Sequence, residues 1–151
     1  MISRLEHMAL SVSDLDISVA FYRDLLGLEV IRVLDAGPES GLGEVVNLPG
    51  CHARIAHLRM GNNMLEVFEY KEPRGETLEP GRRQADHGWI HLGFQSTDVR
   101  ADYGDLKAKG VHFLSAPVEF RPGVWIVYFR GPDGEICELR ETPANDLQRP
   151  P

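Results

Sequence analysis

Two stretches of this sequence decide its fold: HMALSVSDL at residues 7–15 and HLGFQSTDV at residues 91–99. Each stretch places a histidine in a strand-like run and an aspartate seven positions later, where a helix can begin. Asp14 and Asp98 suit the N-cap position, because their side chains can accept hydrogen bonds from the first free backbone amides of a helix. The two copies predict a duplicated module within the 151-residue chain.

The residues that follow each histidine predict the same order of elements, β-α-β-β-β, in both copies. Glycines suited to a left-handed C-terminal position, Gly27 and Gly110, end the two helices. Turn residues between apolar runs predict the hairpins. The predicted elements are helices at about 14–26 and 98–109, strands at 28–33 and 111–114, and hairpins at 53–70 and 124–140.

This pattern predicts an α+β fold in which a pseudo-twofold pairs the two βαβββ modules. Each module would cover one sheet face with its helix, and the two open faces would together form a cup, a partly closed mixed β-sheet barrel with helices outside. We expect a single domain over 1–151. Its predicted parts are module one at about 3–72, a linker rich in Pro, Gly and charge at about 73–87, module two at about 88–141, and a tail at 142–151.

Charge and composition exclude several classes of protein. The net charge of -7 argues against nucleic acid as a partner, because binding to phosphates needs a basic surface. We find neither a run of about 20 apolar residues that could span a membrane nor the apolar core of a signal peptide. The two cysteines, Cys51 and Cys137, form no CxxC pair, so we expect a protein of the reducing cytoplasm, with Cys137 as a small buried hydrophobe.

Four residues stand out as metal ligands by their positions on the predicted strands. Strand alternation places His7 and His91 on the face opposite to the apolar residues that pack on the helices, next to small or polar neighbours. Glu66 and Glu138 lie within apolar strands, where a carboxylate is costly unless it is paired or binds a metal. Two imidazoles and two carboxylates suit one divalent ion per site, Zn, Ni, Co, Mn or Fe(II), with positions left for substrate or water.

Each of these residues has a plainer interpretation when considered alone. A histidine in an apolar strand is more often a hydrogen-bonded core residue, and a glutamate in a sheet usually lies at the rim. Four such residues at repeat-equivalent positions favour the metal site. The other histidines have no repeat partner and are interpreted as surface or pocket-lining, with His87 as the main rival of His91; they are His52, His57, His87 and His112.

Three motifs carry a resemblance to a known family. They are the opening run with Phe21-Tyr22 and Leu26-Gly27, the strand MLEVFEY at residues 64–70, and the closing GPDGEICEL at residues 131–139. Together they resemble the vicinal oxygen chelate superfamily, which includes glyoxalase I, extradiol dioxygenases and bleomycin-resistance proteins. The resemblance extends from about residue 4 to residue 141.

The resemblance implies a function and a ligand order. His7, Glu66, His91 and Glu138 follow the order of glyoxalase I; methylmalonyl-CoA epimerase is similar, with an amide at the second place. The stretch 54–70 also resembles valiolone-type sugar epimerases. The implied activity is a divalent-metal-dependent lyase or epimerase/isomerase. It would chelate vicinal oxygens of a small-molecule substrate and move a proton next to a carbonyl, with Glu138 and secondarily Glu66 as catalytic groups.

The resemblance leaves some alternatives open. An Fe(II) extradiol-type dioxygenase would make Glu66 a bystander, and a non-catalytic binding or resistance protein would need no metal. Related proteins imply a homodimer, and the four ligands could come from one chain or be shared across that dimer. Glu39 and Glu44, in a glycine-rich loop, could supply a second acid or base but are expected to be exposed. Candidate contacts for an anionic substrate are Arg54, Arg59 and Arg121.

Overall fold

Each half of the sequence folds into its own four-stranded mixed sheet. The computed structural model describes residues 1–78 and 81–143 and separates into two units, 1–77 and 78–151. Two residues of the predicted linker, 79 and 80, and most of the predicted tail, 144–151, lie outside the described residues. No helix among the described residues is long and apolar enough to cross a membrane.

The first unit has strand order β1-β4-β3-β2, with β1 parallel to β4 and the other pairs antiparallel. A two-residue loop, Gly61–Asn62, joins β3 to β4, and the positive φ of Gly61 suits such a tight hairpin. The elements are β1 (His7–Ser11), α1 (Leu15–Ala20), a π-helical segment (Phe21–Leu25), β2 (Glu29–Ala36), α2 (Leu42–Val45), β3 (His52–Met60) and β4 (Asn63–Glu72).

The second unit repeats this topology with strand order β5-β8-β7-β6 and a parallel β5-β8 pair. The α+β class and the β-α-β-β-β order are therefore confirmed for both modules. The cup involves both units and stays a prediction. The elements are β5 (Leu92–Gln95), α3 (Val99–Ala108), β6 (Val118–Arg121), β7 (Val124–Arg130) and β8 (Ile136–Glu141).

The predicted ends of the helices are confirmed, but the first helix is not regular. Asp14 accepts a hydrogen bond from the amide of Ile17, and Asp98 accepts two, from Arg100 and Ala101. Gly27 and Gly110 both adopt positive φ. The predicted helix over 14–26 is α-helical only to Ala20 and continues as the π-helical segment, which contains the fully buried Tyr22.

The prediction of a strand at 111–114 is wrong. That segment makes only an isolated bridge between Phe113 and Phe129, and the second strand of the module is β6, after Pro117. All four residues of β6 are exposed and pair only with β7, so β6 is a short edge strand. Such a strand shows no alternation between buried and exposed residues by which it could be recognised.

The core of each unit lies between its helix and the inner face of its sheet. Helix α1 contacts β3 and β4, and α3 contacts β7 and β8. Cys51 and Cys137 are both buried and are not joined in a disulfide, which confirms Cys137 as a small buried hydrophobe. Fully buried members of the core include Leu15, Leu58 and Val67 in the first unit and Val99, Val127 and Phe129 in the second.

Candidate metal centre

His7 and Glu66 meet on one face of the first sheet. In the parallel β1-β4 pair Glu66 lies opposite Ala9, two residues after His7 and therefore on the same face as His7. Leu65 and Val67, on either side of Glu66, are buried on the other face against the core. The Nε2 atom of His7 lies 3.5 Å from Oε2 of Glu66. The first predicted pair is thus brought together.

His91 and Glu138 meet in the second unit through the same register. Glu138 lies opposite Gly93, again two residues after the histidine. The Nε2 atom of His91 is 3.4 Å from Oε2 of Glu138, and the glutamate is 8% exposed as a residue. The sequence repeat is therefore also a repeat of geometry: each unit holds one imidazole against one carboxylate.

The second ring nitrogens of the two histidines differ in their surroundings. Nδ1 of His7 lies 2.5 Å from a carboxylate oxygen of Glu6, whereas Nδ1 of His91 is buried and has no hydrogen-bond partner within residues 1–78 and 81–143. The hydrogen bond with Glu6 raises the pKa of His7, partial burial opposes this, and Glu66 adds to the rise. A protonated imidazole cannot ligate a metal, so metal binding at His7 would release a proton.

A further side chain lies against each carboxylate. His57, which is 7% exposed, places Nε2 at 3.3 Å from Oε1 of Glu66, and Arg32 donates from Nε to Nδ1 of His57 over 3.0 Å. In the second unit Tyr128 forms a hydrogen bond with Glu138. Burial first, and then the charge of Glu138 and that hydrogen bond, raise the pKa of Tyr128.

The roles of His57 and Tyr128 are absent from the sequence prediction, which placed His57 only among surface or pocket-lining residues. The signal for His57 was available: a two-residue loop at 61–62 sets residue 57 opposite residue 66 in an antiparallel hairpin. Tyr128 pairs with Glu138 in the equivalent hairpin, but the longer loop between β7 and β8 leaves that register open in the sequence.

The remaining candidate residues are exposed or already paired with other side chains. Glu39, Glu44, His87 and His112 are exposed, as predicted. His52 is half-buried and bonds to Asp35. Arg54 and Arg59, considered as contacts for an anionic substrate, form ion pairs with Asp16 and Glu29 within the first unit. Arg121 is exposed.

Each of the two His–Glu pairs has a spacing that fits two ligands of one divalent metal ion. Two ligands at roughly 2.1 Å from one ion, at angles of about 90–110°, lie about 3.0–3.4 Å from each other, close to the two N–O distances. The hydrogen bond between Nδ1 of His7 and the accepting carboxylate of Glu6 also matches the usual outer support of a metal-ligating histidine. Over residues 1–78 and 81–143, no group of three or more His, Cys, Asp or Glu side chains is arranged to hold an ion.

Comparison with known proteins places the chain in a family. The sequence profile of the Glyoxalase/Bleomycin resistance protein/Dioxygenase superfamily matches residues 4–139. The chain belongs to this superfamily. Its similarity to proteins of this superfamily extends to solved structures: a glyoxalase family protein from Bacillus cereus superimposes with a TM-score of 0.85 over 95% of this chain and 97% of the other, at 18% identity. At that identity the likeness concerns the fold alone.

Two relatives of this superfamily member carry the name of an epimerase. A 2-epi-5-epi-valiolone epimerase from Actinomyces sp is 35% identical over 147 residues, which cover 91% of this chain and 79% of the relative. The mitochondrial methylmalonyl-CoA epimerase of Homo sapiens is 27% identical over 144 residues, covering 93% and 74%.

Proposed function

We propose that this chain is a divalent-metal-dependent epimerase that removes and returns a proton at a carbon next to a carbonyl. The observation that carries the proposal is the repeated pair: each unit holds one histidine Nε2 against one buried or half-buried carboxylate, in the same register. The names of the two relatives favour epimerisation over the lyase chemistry of glyoxalase I.

His7, Glu66, His91 and Glu138 would together hold one ion per site, Zn, Ni, Co, Mn or Fe, either within one chain or shared across a homodimer. The ion, when bound, supplies Lewis acidity toward two adjacent oxygens of a small-molecule substrate. His7 and His91 are fixed ligands, because each ring lies against its glutamate, and Glu6 also bonds the ring of His7.

Each of the two carboxylates has its own role in the proton transfer. Glu138 takes the proton from the carbon next to the carbonyl, the electron pair of the C–H bond moves into the enolate, and a proton then returns to the opposite face of that carbon. Glu66 serves as the second group of this exchange. Inversion needs an acid and a base on opposite faces of one carbon, and the two carboxylates would serve as that acid and that base. Tyr128 holds Glu138 by a hydrogen bond.

Deuterium exchange tests this proposal. The protein, stripped with a chelator and reloaded with Co²⁺ or Zn²⁺, would be incubated in D₂O with methylmalonyl-CoA and with 2-epi-5-epi-valiolone. We expect one deuterium at the carbon next to the carbonyl for a substrate, read by mass spectrometry. Glu138→Gln should keep most of the metal and lose exchange by about 10²–10⁴-fold, the usual contribution of a general base.

Three results would contradict the proposal. They are exchange that persists in Glu138→Gln, a wild-type protein that cannot be loaded with metal, and oxygen uptake with a catechol, which would indicate ring cleavage. Glu69→Gln is the matched control. Glu69 is about as buried as Glu138 but points to the core face of β4 and bonds Arg54 and Lys71, so its substitution should leave exchange intact.

A further inference from the structure

We infer that Arg32 and His57 are positioning residues for Glu66: together they fix one oxygen of this carboxylate and direct the other toward His7. The inference rests on the proposed function, since it concerns how a metal ligand is held. Neither residue needs to touch the substrate or the ion for this role.

The strand register places the participants in one row across the first sheet. Arg32 on β2 pairs with His57 on β3, His57 pairs with Glu66 on β4, and Glu66 pairs with Ala9 on β1. Residues directly opposite one another in neighbouring strands point to the same face, so these side chains form a continuous line. The line ends on the face that carries His7.

The chemistry of the donors sets the direction of the hydrogen bonds. A guanidinium has only donors, so Nδ1 of His57 must accept from Arg32 over 3.0 Å. A neutral imidazole that accepts at Nδ1 carries its proton on Nε2. Oε1 of Glu66 lies 3.3 Å from that nitrogen and is the carboxylate oxygen within its reach. The arginine thus selects the tautomer in which His57 donates to the carboxylate.

Fixing Oε1 leaves Oε2 as the oxygen of Glu66 that faces His7. Glu66 is therefore presented as a one-oxygen ligand with a set orientation. The ring of His57 is 7% exposed, so it cannot turn freely into solvent and exchange this partner for water. Outer-shell groups of this kind tune ligand orientation and metal affinity.

Among its described residues, the second unit has no equivalent of Arg32. Tyr128 occupies the position that corresponds to His57, opposite Glu138. The residue beside Tyr128 is Leu114, next to the bridge between Phe113 and Phe129, and a leucine side chain has no hydrogen-bond donor. Glu66 is therefore restrained by two linked side chains and Glu138 by one phenol. This asymmetry holds Glu66 more firmly in place than Glu138, the residue proposed to take the proton from the substrate.

Binding and absorption of Co²⁺ test the inference without any substrate. His57→Leu should weaken Co²⁺ binding by about 10–100-fold and change the visible absorption bands of the bound ion, because the orientation of Glu66 is lost. His57→Gln, whose amide can still donate to Glu66, should recover most of the affinity and the wild-type spectrum. Arg32→Met removes the guanidinium but keeps an unbranched side chain of similar length. It should also weaken Co²⁺ binding, by several-fold.

Arg59→Met is the matched control, because Arg59 also joins β3 to β2 on this face through an ion pair with Glu29. It should leave affinity and spectrum unchanged. The inference, but not the proposed function, would be overturned if both His57→Leu and Arg32→Met kept the wild-type Co²⁺ affinity and spectrum. It would also be overturned if Arg59→Met changed Co²⁺ binding as much as Arg32→Met. A wild-type protein that binds no Co²⁺ would overturn the proposed function and this inference with it.

Discussion

Replacing Glu138 by leucine should make the metal-free protein more stable and the metal-loaded protein less stable than the wild type. Glu138 is 8% exposed between the buried residues Cys137 and Leu139, and no lysine or arginine is paired with it among the described residues. A buried carboxylate without a cation is costly, whereas a leucine at this position would join an apolar strand. A site built to bind a cation thus carries a stability cost until the cation arrives.

The expected size follows from the contacts of this side chain. Burying a leucine contributes about 1.5–3 kcal/mol, and the loss of the hydrogen bond from Tyr128 costs about 0.5–1.5 kcal/mol. The metal-free variant should therefore gain about 1 kcal/mol. A metal at 100 times its Kd stabilises the wild type by about 2.7 kcal/mol. For a chain of 151 residues this corresponds to a rise in Tm of about 5–11 °C.

Thermal unfolding followed by circular dichroism, with a chelator and then with Co²⁺, measures both effects. The order of stability should invert: the variant unfolds later without metal and the wild type unfolds later with it. Glu69→Leu is the control, because this equally buried carboxylate is paired with Arg54 and Lys71. It should be destabilised in both conditions and keep the full metal shift. A metal shift in Glu138→Leu equal to that of the wild type would refute the reasoning.

Three further outcomes are expected. The hydrogen bond from Arg54 lowers the pKa of Asp16, so the stabilising effect of this ion pair is present above the unfolded pKa and is lost as the pH falls through the folded pKa. Asp16→Asn should unfold at lower urea than wild type at pH 6, and the two unfolding curves should converge as the pH falls below the folded pKa of Asp16. Asp98→Ala should lose about 1 kcal/mol of unfolding free energy, with recovery in Asp98→Ser, because Asp98 caps two amides of α3. Cys51 and Cys137 should both stay unreactive toward a thiol reagent until denaturant is added, and rapid labelling of the folded protein would contradict their burial.

Local signals account for the parts of the fold that the sequence predicted correctly. The N-cap aspartates, the C-terminal glycines and the alternation of β1 act within a few residues, and each recurs in both modules. The same local rules failed at 111–114, where apolar residues after Gly110 lie near β7 without forming a strand. The edge strand β6 that replaces them is defined only by its pairing with β7.

The candidate ligands could be identified because strand alternation and the repeat are both properties of the sequence. Their pairing depends on more: His7 reaches Glu66 only because β1 and β4, separated by most of the unit, lie side by side in parallel. No local preference specifies the register of a parallel pair, which the packing of α1 and the core sets.

The identity of the candidate ligands and the side chains that surround them therefore have different physical origins. Which residues can bind a metal, and on which face of a strand each lies, follows from residue chemistry and a two-residue period, and the sequence contains both. Which carboxylate is held by Arg32 and His57 and which by Tyr128 depends on which residue lies beside His57 and which beside Tyr128 in the folded sheets. Long-range pairing and burial decide that, and only the folded chain shows it.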